Sequence, residues 1–287
     1  MILLLLLPAG PRARAQTADA PRDAAGASLL STPPRSWAID AAANELVALH
    51  HKNSYLRYRM EMNNERGQQV RDVIESKDGT VARLILKDGK PLTPEQDKAE
   101  RERLNDMEAS PAAYAKHVKN GESEKSMADK LVPMMADAML NSYTPGQPQS
   151  GRNGGALEIV LDYKPNPKFV PPTTEAQALT GLEGRVWIDA KTRYVVRMEG
   201  TIFRGVNFGW GMLAHIYPGG KVEMNQTHVG DNRWIFTDFS MQLTVRALMV
   251  KKVEIHSSAK TSNYQTLGPM SYQDAIRLLL ATPLPDR

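Results

Sequence analysis

The chain contains no cysteine among its 287 residues. It therefore has no disulfide bond, no thiolate metal site, no thiol nucleophile and no cysteine that a lipid could modify. The motifs G-x-S-x-G, H-E-x-x-H, G-x-x-x-x-G-K-[ST] and G-x-G-x-x-G do not occur either. We expect a protein that is not an enzyme and that binds no metal and no cofactor.

Histidines are few and do not suggest a metal site. The chain has six histidines, of which His215 and His228 lie on neighbouring predicted strands. A turn centred near Gly219 would pair His215 with Val222 or Glu223, which leaves the two histidine rings several residues out of register. This spacing predicts that they share no ligand.

The chain also lacks an apolar run long enough to cross a bilayer, which needs about 20 residues. Its longest run is the N-terminal "MILLLLLPAG", and Ala13-Arg14-Ala15 follows just before Gln16. Small residues at these two positions form the A-x-A pattern of a signal-peptide cleavage site. We therefore expect a signal peptide over residues 1–15, a disordered leader over residues 16–35, and a periplasmic or secreted protein.

Charge of one sign is not concentrated in the sequence. The formal net charge is +4 and the pI about 9.1, and Lys and Arg alternate with Asp and Glu along the chain. Nucleic-acid binding requires a one-sided basic stripe, so we expect no nucleic-acid partner. The small positive excess allows a transient contact with an anionic membrane surface.

Five capping or breaking residues divide the helical segments. Ser36 is a candidate N-cap for "WAIDAAANELVALHH", and Thr93 for the helix that starts at "PEQ". Gly121 should end a short helix "SPAAYAKHVKN", and Pro133 should kink the next one, "SEKSMADKLVPMMADAMLNSY". Ser271 should cap a C-terminal helix, "YQDAIRLLLAT".

Alternation of period two predicts strands before and after the helical region. In "SYLRYRMEMNNERG", apolar and polar side chains alternate strictly, and Asp78-Gly79 is a hairpin dipeptide. Further predicted strands cover "ALEIVLDY" and then 182–189, 193–204, 206–217, 221–229, 232–246 and 249–258 in a meander. The proline-rich segment 164–177 is predicted to be a loop that acts as a lid.

These elements predict an α+β fold. We expect a large curved antiparallel sheet of about nine strands, an incomplete β-barrel, with helices packed across it. Residues 36–287 would form one half-barrel domain with a helical insertion at about 94–142.

The stretch "GLEGRVWIDAKTRYVVRMEG", residues 181–200, predicts a hairpin. A short turn between Asp189 and Arg193 would place Val186 opposite Val196 and Ile188 opposite Tyr194. Val195 would then share the outer face with Trp187 and Arg197.

This hairpin resembles one in the lipoprotein-carrier superfamily of the LolA/LolB type. The resemblance rests on the pattern Gly-x-Val-Trp-Ile-Asp-x-x-Thr from Gly184 to Thr192, on Arg197-x-x-Gly200, and on the order of elements along the chain. It implies a half-barrel with an apolar cavity for acyl chains. Arg57, Arg59 and Arg83 are the candidates for the cavity arginine of that superfamily.

The resemblance and the many methionines lead to a binding hypothesis. Methionine suits sites that adapt to variable apolar ligands, although the same residues also fill cores. We expect a non-enzymatic protein that holds a lipid acyl chain or an acylated protein for transport or sensing. The alternative is an envelope protein-interaction or regulatory module whose cavity is filled. The predicted cavity residues are Met60, Met62, Met135, Met139, Tyr194, Met198, Phe208, Trp210, Met212, Phe239 and Met241.

Overall fold

The computed structural model describes residues 28–50, 54–151, 155–208, 213–230, 233–247 and 251–285. The predicted signal peptide and most of the predicted leader lie outside these residues. The helices are α1 (Pro34–Leu49), α2 (Pro94–Ala109), α3 (Pro111–Leu131), α4 (Met135–Ala138) and α5 (Tyr272–Ala281), with 3₁₀ turns at Val132–Met134 and Glu175–Gly181. The strands are β1 (Tyr55–Asn64), β2 (Gly67–Ser76), β3 (Gly79–Lys87), β4 (Lys90–Pro91), β5 (Met139–Tyr143), β6 (Gln149–Gly151), β7 (Gly155–Pro165), β8 (Leu182–Asp189), β9 (Val195–Ile202), β10 (Val206–Phe208), β11 (Ala214–Ile216), β12 (Lys221–His228), β13 (Trp234–Ala247) and β14 (Lys251–Leu267).

All the strands form one antiparallel sheet. Its main order is β4-β3-β2-β1-β14-β13-β12-β9-β8-β7-β5, with β6 paired to β7 and the β10–β11 hairpin attached to β13. The sheet is open, because β4 and β5 end it and do not pair with each other. The predicted incomplete barrel with helices across it is confirmed, although the described residues contribute 14 strands to the sheet rather than about nine.

Helices cover opposite faces of the sheet at its two ends. Ile74 pairs with Arg57 on β1, and α2, α3 and α5 pack on its face. At the other end of the sheet, α1 packs on the face that carries Leu161. Leu161 pairs with Val186 on the neighbouring strand, and successive pairs across the sheet place Met62 of β1 on that same face. Arg57 and Met62 lie an odd number of residues apart on one strand, so they point to opposite faces.

Three buried clusters hold these layers together. The first joins α2, α3 and α5 to β2 and β3, and consists of Ile74, Val81, Leu104, Met107, Tyr114, Tyr272, Ala275, Ile276 and Leu279. The second joins α1 to β7, β8 and β9, and consists of Trp37, Ala41, Ile159, Leu161, Ile188 and Val195. The third, at α4 and β5, consists of Ala138, Met139, Tyr163 and Leu179.

Most of the helix predictions are confirmed at their starts. Thr93 caps α2 in a reciprocal capping box, and Ser271 caps α5. Pro133 converts the chain to a 3₁₀ turn, as a proline inside a helix should. Ser36 is not a cap, because α1 already begins at Pro34. Gly121 does not end a helix: α3 passes through it, at a cost of only about 1 kcal/mol relative to alanine.

Tertiary pairing overrides local pattern in the segment that begins at Met139. The sequence predicts that the helix continues to Tyr143, but Met139–Tyr143 is strand β5, which pairs with β7 from Pro165 to Leu161. The predicted strand 206–217 is likewise wrong, because it is the hairpin β10–β11.

Strand neighbours were also predicted wrongly in the meander. His215 of β11 pairs with Arg246 of β13, not with Val222 or Glu223. His228 pairs with Trp234 in the β12–β13 hairpin. The two histidines are therefore apart, as predicted, but because they lie on strands that do not pair with each other rather than because of a register offset.

The hairpin 181–200 forms, with a different register. Val186 pairs with Met198, and a bulge between Trp187 and Ile188 brings Ile188 opposite Val195. The bulge adds a residue to β9 and so turns Val195 into the second buried cluster beside Ile188, contrary to the prediction that it shares the opposite face with Trp187 and Arg197.

Its turn is fixed by side-chain hydrogen bonds. Asp189 Oδ1 accepts from the backbone nitrogens of Lys191 at 3.0 Å and Thr192 at 2.6 Å, and from the Thr192 hydroxyl at 2.8 Å. Arg193 completes the turn with φ of 60°. The Asp-x-x-Thr part of the motif therefore closes a turn and needs no ligand to explain it.

Two paired glycines in this hairpin make room for a tyrosine. Gly184 lies opposite Gly200, and the Tyr163 hydroxyl donates to the Glu199 carbonyl oxygen at 2.8 Å beside them. A Cβ on Gly184 would lie 1.9 Å from that carbonyl oxygen and 2.8 Å from the tyrosine hydroxyl. The close approach excludes any side chain at position 184.

Candidate binding site on the centre of the sheet

A row of apolar side chains crosses the middle of the sheet. Met198 of β9 pairs with Met224 of β12, which pairs with Phe239 of β13. Phe239 pairs with Ala259 of β14, and Ala259 pairs with Met62 of β1. These five residues therefore lie side by side on one face over five strands.

Parallel rows extend this face along the strands. Val222 pairs with Met241, Leu243 with Ile255, and Val245 with Val253, all on the same face by alternation. We call this surface the central apolar face. It comprises Met60, Met62, Met198, Val222, Met224, Phe239, Met241, Leu243, Val245, Val253 and Ile255, every one of them half-buried.

The reverse side of the same strands is polar. Asp238 pairs with Lys260, Gln242 with His256, and Lys260 again with Glu61 of β1. The central strands are thus amphipathic, which normally means that the apolar side is covered by other structure.

No helix layer covers this apolar side in the described part of the chain. The buried members of the three clusters include no residue of β12, β13 or β14. Met198 and Met224 pack against the second cluster, and Met198 also against the third, as partly buried neighbours. The central apolar face therefore lies between the helix-covered ends, partly open to solvent.

The residues predicted from the sequence fall into three groups. Met60, Met62, Met198, Phe239 and Met241 lie on the central apolar face. The structure adds six neighbours to them, Val222, Met224, Leu243, Val245, Val253 and Ile255, which follow the same alternation.

The other predicted residues lie elsewhere or outside the described part of the chain. Met139 is 3% exposed within the third cluster, and Met135 packs against that cluster. Tyr194 stacks on Trp234 with ring centroids 5.4 Å apart, and Phe208 belongs to the β10–β11 hairpin. Positions 210 and 212, the predicted Trp210 and Met212, lie outside the described residues.

The candidate cavity arginines do not point to a ligand. Arg83 donates to the carbonyl oxygens of Leu279 at 2.7 Å and Thr282 at 2.8 Å and pairs with Asp97, so it holds the end of α5. Arg57 pairs with Asp72 and donates to the Thr282 hydroxyl at 2.9 Å. Arg59, on the same face as Arg57, is exposed.

A buried polar cluster closes one end of the central apolar face. Tyr58 precedes Met60 on the same face of β1, and its pKa is raised, chiefly by burial. Next to it, Arg233 Nη2 lies 2.7 Å from Glu75 Oε1 and Nη1 donates to the Ser54 carbonyl oxygen at 2.9 Å. The charges of this ion pair cancel, so that end of the face presents no net charge to a ligand.

Helix α1 is tied to the sheet beside the face through Glu45. Its carboxylate accepts from Gln226 Nε2 at 2.7 Å and from the Val195 backbone nitrogen at 3.2 Å. Burial raises the pKa of Glu45, and these two hydrogen bonds offset part of that rise. The contacts connect α1 to both β9 and β12.

The loop predicted as a lid lies over the β5 end of the sheet instead. The Asn166 backbone nitrogen donates to the Ala138 carbonyl oxygen at 2.8 Å, and Phe169 packs on the third cluster. The loop and β5 border a surface cleft of about 450 Å³ that also includes Arg35. In this arrangement the loop does not cover the central apolar face.

The described residues contain no cluster of metal-ligating side chains. No group of three or more His, Asp or Glu among them could hold a metal ion. Within the same ranges, no helix is long and apolar enough to cross a membrane. Apolar contact is the chemistry that the central face offers.

The chain matches no protein-family model, and no curated protein matches it. Two solved structures align with most of this chain, at low sequence identity and low TM-scores. An outer membrane lipoprotein-sorting protein domain from Vibrio parahaemolyticus overlaps at 12% identity and a TM-score of 0.32, over 84% of this chain and 97% of that one. A DUF1329 family protein from Desulfovibrio piger overlaps at 10% identity and a TM-score of 0.29, over 82% and 93% of the two chains.

The first of these structures is of the kind that the hairpin sequence resembles. Both TM-scores are below 0.5, so the function has to be argued from the residues of this chain.

Proposed function

We propose that the protein binds an apolar ligand, a lipid acyl chain or the acylated end of a lipoprotein, on the central apolar face. It holds the ligand without covalent chemistry, for transport or sensing, in the periplasm or outside the cell. The observation that carries this proposal is the continuous apolar surface over five strands, half-buried throughout and absent from the buried clusters.

The composition of the face suits a chain-like ligand of variable shape. Five of its eleven residues are methionines, whose unbranched thioether side chains adapt to irregular apolar partners. Each CH₂ group of a ligand that is buried there contributes about 0.8 kcal/mol. Ten such groups would contribute about 8 kcal/mol before the cost of association, which is enough for useful affinity.

The location of the face also supports binding. An uncovered apolar surface of this kind is uncommon on monomers and marks contact with a ligand, a membrane or another protein. The polar reverse side, with its Lys260–Asp238 ion pair, is the solvated side of the same strands.

The first test is native mass spectrometry of the full chain, purified without detergent from cells that export it, followed by organic extraction. We expect an added mass that extracts as a lipid. A chain that carries no added mass and stays unloaded after incubation with phospholipids and acylated peptides would overturn the proposal. It would favour the alternative in which a protein partner covers the face.

The second test compares adjacent residues on opposite faces of β13. Met241→Glu places a carboxylate on the central apolar face, and Gln242→Glu makes the matched change on the polar side. With a fluorescent fatty acid as probe, we expect Met241→Glu to weaken binding at least about tenfold. Burying an unpaired carboxylate against the acyl chain of the probe costs more than about 1.4 kcal/mol, which corresponds to that factor. Gln242→Glu should change affinity less than about twofold. Equal effects of the two substitutions would place the ligand elsewhere.

A further inference from the structure

Two stretches of the sequence carry basic residues and no acidic ones. Residues 201–222 and 239–253 contain no Asp and no Glu. Together they contribute five positive charges, which exceeds the net charge of +4 of the whole chain. The five are Arg204, Lys221, Arg246, Lys251 and Lys252.

Sheet pairing brings these two stretches together at one end of the molecule. His215 of β11 pairs with Arg246 of β13, and Arg246 pairs with Lys252 of β14. Like charges directly opposite each other on adjacent strands repel, so this row lowers stability unless an anion lies nearby. Lys221 begins β12 on the same side of the sheet, opposite Gln242.

Two acidic residues border this end: Glu223 lies two residues after Lys221 on β12, and Glu254 lies two residues after Lys252 on β14. Within the described residues, none of the five basic side chains forms an ion pair with them or with any other carboxylate, although Lys252 lies over the Tyr217 ring at 5.3 Å and Arg204 over Phe203 at 5.5 Å. Elsewhere most arginines are paired, for example Arg83 with Asp97. We call this surface, with its five cations, the basic end.

Large apolar side chains project from the same end. Leu213, next to the start of β11, is 56% exposed, and Phe203, which follows β9, is 42% exposed. Ala214 pairs with Ala247, so Leu213 lies close to the strand ends that carry Arg246 and Lys251. Exposed apolar groups among cations match the interface of an anionic bilayer, where phosphates lie above acyl chains.

We propose that the basic end docks on an anionic lipid bilayer. Lys221, Lys251 and Lys252 contact the headgroup phosphates, and Leu213 and Phe203 enter the acyl boundary. A nucleic acid would use the cations but leave both apolar side chains in water, and an acidic protein would need an apolar patch shaped to Leu213 and Phe203. An anionic bilayer supplies phosphates and an acyl layer at any point of its surface, so it fits this surface better. This inference does not depend on whether the central apolar face holds a ligand.

The test measures co-sedimentation of the full chain with vesicles of phosphatidylcholine, with and without 30 mol% phosphatidylglycerol, a composition of roughly physiological anionic content. We expect binding only to the anionic vesicles, weakened by salt as the Debye length falls to about 3 Å at 1 M. Each basic residue near such a surface contributes about fivefold in affinity, so Lys251→Gln with Lys252→Gln should weaken binding about 25-fold.

The matched control removes two exposed lysines from α3. Lys116→Gln with Lys119→Gln changes the net charge equally, and these residues lie beside the β2–β3 hairpin rather than at the basic end. We expect less than about a twofold effect. An equal loss in both double variants, or equal binding to vesicles without anionic lipid, would overturn the proposal.

The absence of cysteine permits a site-specific readout of insertion. An environment-sensitive fluorophore on Leu213→Cys should shift to the blue on anionic vesicles, and the same label on Lys116→Cys should not. Binding to the vesicles without a shift at position 213 would mean that another surface makes the contact. Binding to polyglutamate but not to vesicles would assign the basic end to an acidic protein instead, and would equally refute docking on lipid.

Discussion

Replacing Arg83 tests whether the C-terminal helix is anchored as the structure indicates. This side chain is 1% exposed and bridges three groups: the carbonyl oxygens of Leu279 and Thr282 and the carboxylate of Asp97. Arg83→Leu would leave the Thr282 carbonyl oxygen without this donor, and the Leu279 carbonyl oxygen with only the Thr282 backbone nitrogen, at 3.3 Å. Arg101 would remain on Asp97, at 2.9 Å.

The magnitude follows from these contacts. Each buried carbonyl oxygen that loses a donor costs about 1–3 kcal/mol. The lost pair with Asp97 adds less than a fully buried pair would, because that carboxylate is 23% exposed and keeps Arg101. We therefore expect the free energy of unfolding to fall by about 2–4 kcal/mol in Arg83→Leu. Arg83→Lys keeps the positive charge but loses the planar guanidinium that reaches all three acceptors at once. Its free energy of unfolding should therefore fall by roughly half as much as that of Arg83→Leu.

Urea unfolding followed by circular dichroism measures the effect. Arg59→Leu is the control, because Arg59 is an exposed arginine on nearby β1, and it should stay within about 0.5 kcal/mol of the unmodified chain. A loss below about 1 kcal/mol in Arg83→Leu would refute the anchoring argument.

Acid unfolding gives a second readout of the same contact. Burial acts to raise the pKa of Asp97, but hydrogen bonds from Arg101 and Arg83 outweigh it and lower the pKa below its ordinary value of 3.8. A lowered folded-state pKa adds stability that is present above 3.8 and lost as the pH falls through the folded value. Arg83→Leu should therefore lose less stability on acidification below pH 3.8 than the unmodified chain does.

Three further predictions concern the rest of the fold. Gly184→Ala should destabilise the protein by more than about 3 kcal/mol in thermal unfolding, because of the backbone clash described above, whereas Gly268→Ala, with open space around it, should be nearly neutral. Thr93→Ala should cost about 1 kcal/mol as the loss of an N-cap, and Ser36→Ala much less, since Ser36 lies inside α1. Burial raises the pKa of Glu45 in the folded protein above its ordinary value of 4.5, so the unmodified chain loses folding stability as the pH rises from 4.5 through that raised pKa. Glutamine does not ionise, so the stability of Glu45→Gln relative to the unmodified chain should increase between pH 4.5 and neutrality in urea unfolding.

Local alternation predicts that Met60 shares a face with Met62 and Phe239 with Met241, but not which residues of other strands join them on the central apolar face. Met60 and Met62, or Phe239 and Met241, are two residues apart on single strands, and period two survives any choice of neighbouring strand. Sequence alone could not show that this face lacks a helix layer. That depends on where α1 and α5 pack, which is decided by contacts between segments far apart in the chain.

Register and neighbour choice were the parts that could not be predicted. The bulge beside Trp187 shifts β9 by one residue and turns Val195 inward, and no residue of the hairpin marks it in advance. At Met139, a methionine-rich apolar pattern suits a buried helix and a strand equally well, and pairing with β7 decided between them. His215 pairs with Arg246 rather than Val222, because β11 hydrogen-bonds to β13 and not to β12, the next strand along the chain.

The same unpredicted pairing creates the basic end. In the sequence, the two basic stretches are separated by acidic residues, so the chain shows no concentration of positive charge. The pairing of β11 with β13 brings the five basic residues of these stretches to one surface. Along β13 and β14, the apolar rows of the central face run directly toward this surface, since Val245 immediately precedes Arg246 and Val253 immediately follows Lys252. A bilayer held at the basic end would therefore lie at the open end of the central face, opposite the end closed by Arg233 and Glu75. The two proposals can be separated by experiment: Lys251→Gln with Lys252→Gln should weaken vesicle binding about 25-fold and leave fatty-acid affinity unchanged, whereas Met241→Glu should weaken fatty-acid binding and leave vesicle binding unchanged.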